Sequence, residues 1–315
     1  MLLQTKLVFL FAVTVLISGT ISFGQDQERS DPLEPLISYE EAFVFGLVEG
    51  VTEFLPISST GHLILTKEFL VDLSSLGPTE QDAIHAYLIV IQAGAIIAVA
   101  LLYARRIIAI LLGFLGFDPT GKKLGLNIIC AFVPAALLGP FLDDWIEALL
   151  FGAIPVGVAL IFGAVLMGWA EKRKKRSEGL DGDRGKSLED LSFKDSLIVG
   201  LLQCVAMCPG TSRSMMTIVG GYFVGLSRKH SAEFSFLLGL VTLTAAAGYK
   251  VITKGNTLLQ SLEIGPMLFG CVIAGFSAAL SVRWLVGFLS RHGLGLFVWY
   301  RVILGIIILV FAVSF

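Results

Sequence analysis

The sequence predicts an all-α integral membrane protein built from an inverted repeat, with six transmembrane helices and two re-entrant helical hairpins. Hydrophobic residues make up 55% of the 315 residues, and charged residues only 15%, against about 25% in soluble proteins. The mean hydropathy is +0.83. Several apolar runs reach the roughly 20 residues that a helix needs to cross a bilayer. The net charge of -2 gives no reason to expect nucleic acid as a partner.

The first residues have the layout of a secretory signal peptide. Lys6 precedes an apolar run over residues 7–17, small and polar residues follow up to Gly24, and a charged stretch begins at Asp26. A basic start, an apolar middle and small residues before the cleavage point are typical of such peptides. Residues 1–24 are therefore predicted to be a signal peptide or an extra N-terminal span. Either one places the segment over residues 25–37 outside the cytoplasm.

The chain matches itself without a gap at a shift of 154 residues, starting from Ser38 and Ser192. Chance matches are easy between apolar helices, but agreement at polar positions favours a duplication. Those positions are Ser38 with Ser192, Glu41 with Asp195, Glu49 with Gln203, and Ser58 with Ser212. We therefore expect a first repeat over residues 38–170, a cytoplasmic linker over residues 171–191, and a second repeat over residues 192–315.

Three long apolar runs follow each duplicated segment. They cover about residues 87–103, 124–142 and 154–170 in the first repeat, and about residues 234–249, 266–282 and 296–315 in the second. Because three is an odd number, the second repeat must lie upside down in the membrane relative to the first. Inverted repeats of this kind place functional sites near the middle of the bilayer, where the repeats meet.

The charged residues agree with this orientation. If Asp31 is outside, most basic residues next to the spans fall on the cytoplasmic side, as the positive-inside rule requires. They are Arg105, Arg106, Lys122, Lys123, residues 172–176, Arg228, Lys229, Arg283 and Arg291, whereas Asp143 and Asp144 fall outside and Lys250 and Lys254 are exceptions. The basic run over residues 172–176 is expected to anchor the topology or, alternatively, to contact anionic lipid.

The duplicated segments are too broken to span the membrane. Residues 49–62 contain Gly50 and Pro56 between two short apolar pieces, and residues 203–221 contain Pro209 and Gly210 in the same way. Two half-helices joined by a polar turn make a re-entrant hairpin, which is tolerated at membrane depth only where it is buried in protein or lines a wet cavity. One hairpin is expected to enter from outside and the other from inside, so that their turns meet.

The first hairpin carries two acidic residues in an apolar setting. Glu49 and Glu53 are four residues apart, so they lie on one face of a helix. Ionisable groups inside a membrane are costly and are functional candidates by default. Two neighbouring carboxylates repel each other unless a cation, a proton or an arginine lies between them. A solvated helix face is the structural alternative.

The turn of the first hairpin adds hydroxyl groups and an imidazole. Ser58, Ser59 and Thr60 stand at the start of the second half-helix, where free N–H groups favour an anion. A serine close to His62 is also a nucleophile-and-base arrangement, although spacing alone cannot assign the roles. Helix capping is the structural alternative for the hydroxyl groups, but not for His62.

The turn of the second hairpin carries an arginine. Arg213 is flanked by Ser212 and Ser214 and preceded by Gly210, which allows the backbone to approach a ligand closely. The forked donors of a guanidinium match phosphate oxygens, so an arginine in such a turn indicates phosphate. The structural alternative is an ion pair between Arg213 and one of the two acidic residues of the first hairpin.

At these residues the chain resembles the undecaprenyl-pyrophosphate phosphatase family, which is known for bacitracin resistance. The likeness is carried by residues 49–62, by the turn over residues 209–214 with Thr217, and by residues 227–238, and it extends over about residues 38–315. The resemblance implies hydrolysis of undecaprenyl pyrophosphate to the monophosphate, which recycles the lipid carrier for cell-wall synthesis. It also implies a multi-pass protein of the bacterial inner membrane, whose site opens to the periplasmic or outer face.

The resemblance further implies a divalent cation, Mg²⁺ or Ca²⁺, and functional roles for five residues. These residues are Glu49, Glu53, Ser59, His62 and Arg213. The chain departs from the commonest family pattern in its N-terminal extension and in Met215 and Met216, which stand where small residues are frequent. The extension puts only the start of the mature chain in doubt.

Together, the residues and the resemblance predict the following roles. Glu49 and Glu53 are expected to position the metal or a water molecule, Ser59 to be the nucleophile and His62 the proton carrier. Alternatively, His62 or an activated water attacks and Ser59 only binds phosphate. The residues expected to bind the pyrophosphate are Arg213, Ser58, Thr60, Gly210, Ser212, Ser214 and Thr217.

Two rival functions are a polyprenyl-phosphate flippase and a structural membrane subunit. Transport needs no nucleophile, and a structural subunit does not explain costly polar groups in two matching turns, so hydrolysis is favoured. The expected partners are a polyprenyl-pyrophosphate lipid and the bilayer, and a homodimer is the assembly considered.

Overall fold

The computed structural model describes residues 36–70, 77–178, 185–260 and 263–314, and these residues form eleven helices. The predicted signal peptide or extra span over residues 1–24 lies outside the described residues. The helices are α1 (Tyr39–Thr52), α2 (Ser59–Leu70), α3 (Pro78–Leu102), α4 (Ala104–Phe114), α5 (Pro119–Leu150), α6 (Ala153–Glu178), α7 (Phe193–Val205), α8 (Arg213–Phe223), α9 (Arg228–Gln260), α10 (Ile264–His292) and α11 (Gly295–Ser314).

Five of the described helices are long and apolar enough to cross a membrane, namely α5, α6, α9, α10 and α11. The end of α3 and the whole of α4 pass the same test only as a pair, bent by 75° at a break around Tyr103. With that pair taken as one span, the number of spans agrees with the six predicted. The chain is therefore an all-α integral membrane protein, and the bend after α3 is a feature that the apolar pattern did not indicate.

The helices extend beyond the apolar runs from which they were predicted. α9 begins at Arg228 and α10 continues to His292, because the polar residues at these ends also favour the helix. α6 continues to Glu178, past the linker boundary predicted at residue 170. Within this extension Lys174 is buried and donates to the Leu226 carbonyl at 2.8 Å.

The two predicted hairpins are the pairs α1–α2 and α7–α8, whose helices have 11 to 14 residues. Such helices are too short to span a bilayer, which needs roughly 20 residues. Both pairs begin with a capping box at aligned positions. Ser38 and Glu41 exchange side-chain and backbone hydrogen bonds at the start of α1, as Ser192 and Asp195 do at the start of α7.

Helices from the two halves of the chain are interleaved. α1 packs mainly against α10, and α7 packs mainly against α5. The close approach of α1 to α10 depends on glycine, because a Cβ atom added at Gly46 would meet the Gly270 carbonyl and one at Gly50 would meet the Ala274 carbonyl. The first helix of each hairpin is thereby held against a helix from the other half of the chain, and the two turns face each other.

Ion pairs mark the two ends of the helix bundle. At one end Arg106 of α4 pairs with Glu189 at 3.2 Å, and Arg228 of α9 pairs with Glu171 of α6 at 2.9 Å. At the other end Lys250 pairs with Asp143 at 3.0 Å. Lys250, an exception to the charge rule, therefore lies beside an acidic partner.

We predict that Gly50→Ala destabilises the protein by about 1–3 kcal/mol, the usual cost of overpacking a tight contact. The added methyl group would collide with the Ala274 carbonyl and Ser277 Oγ and push α1 away from α10. Gly248→Ala is the matched control, because a Cβ atom there meets nothing within 4 Å. Thermal unfolding in detergent measures both. Equal melting temperatures for Gly50→Ala and the wild type would contradict the close packing of α1 on α10.

Candidate active site

The two hairpin turns are joined directly to each other. Ser214, in the first turn of α8, donates from its hydroxyl group to the Leu55 carbonyl at 2.7 Å. The Arg213 guanidinium lies over the Phe54 ring at 5.2 Å from the ring centroid. Ser214 and Phe54 are both fully buried. The turns therefore meet, as the sequence predicts.

The Glu53 carboxylate lies at the centre of this junction. Its Oε1 accepts from Arg213 Nη2 at 2.9 Å, and its Oε2 accepts from Ser59 Oγ at 2.6 Å. Ser59 and Arg213, which are 154 residues apart in the chain, thus contact the two oxygens of one carboxylate. The ion pair considered as a structural role for Arg213 is present with Glu53.

Arg213 is held from a second side by α9. Its Nη1 donates to the Ser235 carbonyl at 3.2 Å, and its guanidinium occupies the space where a side chain at Gly239 would lie. Arg213 Nε has no hydrogen-bond partner among the described residues. The guanidinium therefore has a fixed orientation and retains donor capacity for a ligand.

Glu49 lies one helical turn before Glu53 and is 1% exposed. The Gln92 side chain of α3 hydrogen-bonds to it. Its Oε2 has no partner among the described residues. A buried carboxylate oxygen without a partner is costly, and a cation or a proton on this oxygen would remove that cost.

Two serines in the turns adopt a backbone conformation that non-glycine residues rarely take. Ser58 has φ 73° and Ser212 has φ 71°. Both hydroxyl groups face the following helix, since Ser58 Oγ accepts from the Gly61 N–H at 3.4 Å and Ser212 Oγ accepts from the Met215 N–H at 3.3 Å. Residues held in this region are concentrated at functional sites. The two strained serines are 154 residues apart, the shift at which the chain matches itself.

His62 lies behind the turn and is bound on both sides of its ring. Its Nδ1 is 2.7 Å from the Ser58 carbonyl, which can only accept, so Nδ1 carries a hydrogen. Its Nε2 is 2.7 Å from the Tyr300 hydroxyl, and the two rings stack at 5.6 Å. The group in hydrogen-bond contact with Ser59 Oγ is Glu53 rather than His62.

A cavity of about 180 Å³ opens beside the junction. Its lining contains seven of the residues predicted for the site, which are Glu53, Ser58, Ser59, Thr60, Gly210, Ser212 and Arg213, together with Gln92, Ala206, Cys208, Pro209 and Leu243. Four other predicted residues, Glu49, His62, Ser214 and Thr217, are buried behind this lining. Thr217 donates to the Arg213 carbonyl at 2.9 Å and contacts Ser235 Oγ at 2.6 Å, so it supports the arginine.

Gln92, Tyr300 and Arg301 were not predicted from the sequence, and Ser235 was included only in the stretch that carries the resemblance. Polar groups inside apolar runs were the available signal, and Gln92 and Arg301 satisfy it. Ser235 and Tyr300 carry no such signal, because serine and tyrosine are common in membrane helices. Among the described residues there is no group of three or more His, Cys, Asp or Glu side chains placed to hold a metal.

Comparison with known proteins gives consistent matches. The model of the family described as bacitracin resistance protein BacA matches residues 42–307. An undecaprenyl-diphosphatase of Acinetobacter baumannii is 43% identical over 277 residues, which cover 87% of this chain and 96% of that protein. Undecaprenyl-diphosphatase 1 of Chromobacterium violaceum is 44% identical over 269 residues, with coverage of 85% and 94%. Undecaprenyl-diphosphatase 2 of Rhodospirillum rubrum is 42% identical over 279 residues, with coverage of 89% and 97%.

We predict that Ser214→Ala lowers the stability of the protein by about 1–3 kcal/mol, because the Leu55 carbonyl loses its buried donor. Ser290→Ala is the matched control, since Ser290 is exposed and donates to the Val286 carbonyl of its own helix. Thermal unfolding of the two variants in the same detergent makes the comparison. If both variants unfold at the same temperature, the hydrogen bond between the turns contributes nothing to stability.

Proposed function

This chain belongs to the bacitracin resistance protein BacA family, and we propose that it hydrolyses undecaprenyl diphosphate to undecaprenyl phosphate and inorganic phosphate. One observation carries the proposal: the Glu53 carboxylate accepts hydrogen bonds from both Ser59 and Arg213. The proposed nucleophile, the proposed base and the proposed phosphate-binding group thus line one cavity. The product, undecaprenyl phosphate, returns to cell-wall synthesis as the lipid carrier. The consumption of undecaprenyl diphosphate confers bacitracin resistance.

The diphosphate is held by the two turns. The forked N–H donors of the Arg213 guanidinium match the oxygens of a phosphate group. The free N–H groups at the starts of α2 and α8 also favour an anion in the cavity. Ser58, Thr60 and Ser212 line the same space. The prenyl chain remains in the bilayer, because each buried methylene group contributes about 0.8 kcal/mol.

Ser59 is the proposed nucleophile and Glu53 the proposed base. Ser59 Oγ attacks the terminal phosphorus while its proton passes to Glu53 Oε2, and the bond from that phosphorus to the bridging oxygen breaks. Undecaprenyl phosphate leaves with the bridging oxygen and takes the proton from Glu53. Water then attacks the phosphoserine and gives a proton to Glu53, which returns it to Ser59 Oγ as inorganic phosphate leaves. The 2.6 Å contact between Ser59 and Glu53 supports this assignment.

The geometry favours a different role for His62 from the proton carrier that the sequence predicts. Both of its ring nitrogens are engaged with Ser58 and Tyr300. We therefore assign His62 to holding the turn that presents Ser59. Direct attack by an activated water is the second candidate, and it requires Ser59 only to bind phosphate; attack by His62 would first require the release of one of its two contacts.

Glu49 and Glu53 are the residues proposed to hold a divalent cation. Carboxylate oxygens are the ligands that Mg²⁺ and Ca²⁺ prefer, and Mg²⁺ usually takes one or two carboxylates with substrate phosphates and water. The unpartnered Glu49 Oε2 fits such an ion. The cation, when bound, supplies positive charge to the phosphate oxygens, which lowers the cost of placing the substrate beside two carboxylates.

The proposed location is the bacterial inner membrane, with the site open to the periplasmic face. Two contacts support an inverted arrangement. The end of α3 meets the start of α9, where the Tyr103 and Phe236 rings are 6.0 Å apart, and the Leu294 N–H before α11 donates to Glu171 near the end of α6. The first spans and the third spans of the two repeats therefore run in opposite directions. The basic ends of the helices would face the cytoplasm.

We predict that Ser59→Ala lowers phosphate release by at least about 1,000-fold, the scale of removing a catalytic serine. Substrate binding should survive, because Arg213 and the helix starts remain. Phosphate release and undecaprenyl diphosphate binding are measured on the same purified variant, with Ser290→Ala as the control. Substantial turnover in Ser59→Ala would transfer the attack to His62 or to water. Loss of binding as well would assign Ser59 to holding phosphate.

We predict that Glu49→Gln raises the Mg²⁺ concentration needed for half-maximal rate by roughly tenfold or more, the scale of changes around a metal ligand. The substitution removes a charge at nearly constant shape. Glu40→Gln is the control, because Glu40 is exposed on the same helix. The measurement is phosphate release over a Mg²⁺ titration. Unchanged metal dependence in Glu49→Gln would remove Glu49 as a ligand.

The proposed orientation predicts opposite labelling of two introduced cysteines. In a variant whose four native cysteines are replaced, Asp143→Cys should react with an impermeant maleimide in intact spheroplasts. Lys172→Cys, at an exposed position of α6, should react only after lysis. Labelling of both cysteines from the same side would contradict the inverted arrangement.

A further inference from the structure

Arg301 is a fully buried arginine in α11, outside the set of residues used above. It is 0% exposed and lies in a helix that is otherwise apolar around it. Its Nη2 donates to the Gly210 carbonyl at 2.9 Å and to the Ala159 carbonyl at 3.4 Å, and its Nη1 donates to the Pro56 carbonyl at 3.4 Å. One side chain therefore contacts both hairpin turns.

The two turn carbonyls that Arg301 contacts are equivalent in the duplication. Pro56 and Gly210 are 154 residues apart, the same shift that relates the two repeats. Pro56 precedes Ser59 by three residues, and Gly210 precedes Arg213 by three residues. The guanidinium thus contacts each turn at the carbonyl that lies three residues before the functional side chain.

Among the described residues, Arg301 has no carboxylate partner, and its Nε has no hydrogen-bond partner at all. A charged side chain at such a position is costly, and an apolar residue would fill the space at lower cost. The packing also makes room for it, because a Cβ atom at Gly163 of α6 would collide with Arg301 Nη2. The position is therefore adapted to a guanidinium.

We propose that Arg301 is a positioning residue that braces the two turns against each other and so sets the placement of Ser59 relative to Arg213. Its planar fork reaches two turns from two different nitrogens, which the single ammonium group of lysine cannot do. The neighbouring Tyr300 acts in the same place, since its hydroxyl group contacts His62. The inference rests on the proposed phosphatase function for its kinetic consequence only.

The brace is tested with Arg301→Met and Arg301→Lys, with Arg291→Lys at an exposed position of α10 as the control. In both Arg301 variants kcat should fall about 100-fold, the scale of a small misplacement of reacting groups, with a smaller change in KM. The lysine of Arg301→Lys should not restore the wild-type kcat. If Arg301→Lys has the activity of the wild type, Arg301 acts only through its charge, and the proposed positioning role is wrong.

A second readout needs no catalysis. Cys208 lines the cavity two residues before Gly210, so its rate of alkylation, measured by mass spectrometry of its peptide, reports the order of the turn. The rate should rise in both Arg301 variants and stay unchanged in Arg291→Lys. Unchanged Cys208 alkylation together with a kcat near wild type in Arg301→Met would overturn the proposal. A wild type that releases no phosphate would defeat the proposed function, while the Cys208 measurement would still test the brace.

Gly163→Ala tests the same positioning role if Arg301→Met does not fold. It retains the arginine but pushes its guanidinium from the turns, so kcat should fall and Cys208 should react faster. Gly287→Ala is the control, because a Cβ atom there meets nothing within 4 Å. Identical behaviour of Gly163→Ala and Gly287→Ala would contradict the brace.

Discussion

The ion pair between Glu53 and Arg213 is the interaction on which the rest of the site depends. Neither charge is tolerable in an apolar interior without its partner, since breaking a buried pair typically costs 3–5 kcal/mol. The two partners come from different hairpins, so the pair forms only when both hairpins are in place. Ser59 is aligned by the same carboxylate, and Ser235 and Gly239 shape the space for the arginine.

The two hairpin turns share one backbone conformation, with Ser58 and Ser212 at matching positions, and the proposed function arises where their side chains differ. At the 154-residue shift Glu53 corresponds to Met207, His62 to Met216, and Ser59 to Arg213. The first hairpin therefore carries the acidic residue and the proposed nucleophile, and the second carries the arginine. Both turns have the strained serine and the carbonyl that Arg301 contacts. Two matching turns thus bring complementary side chains together.

Much of this arrangement could be predicted from the sequence, because polar groups in apolar segments have few partners available. That constraint predicted the two hairpins and the meeting of Glu53, Ser59 and Arg213. The bend after α3 was not predicted, since the apolar run ends at Tyr103 and the basic residues Arg105 and Arg106 that follow it do not set the direction of the next helix. The partner of His62 was also missed, because a tyrosine 238 residues away becomes its neighbour only through the packing of α11.

The most direct test of the account is a structure of the protein in lipid with a non-hydrolysable undecaprenyl methylene-diphosphonate. The account predicts that the terminal phosphonate lies between Ser59 Oγ and the Arg213 guanidinium, with the prenyl chain extending into the bilayer. A headgroup bound away from the junction of the two turns, or contacting only one hairpin, would contradict it.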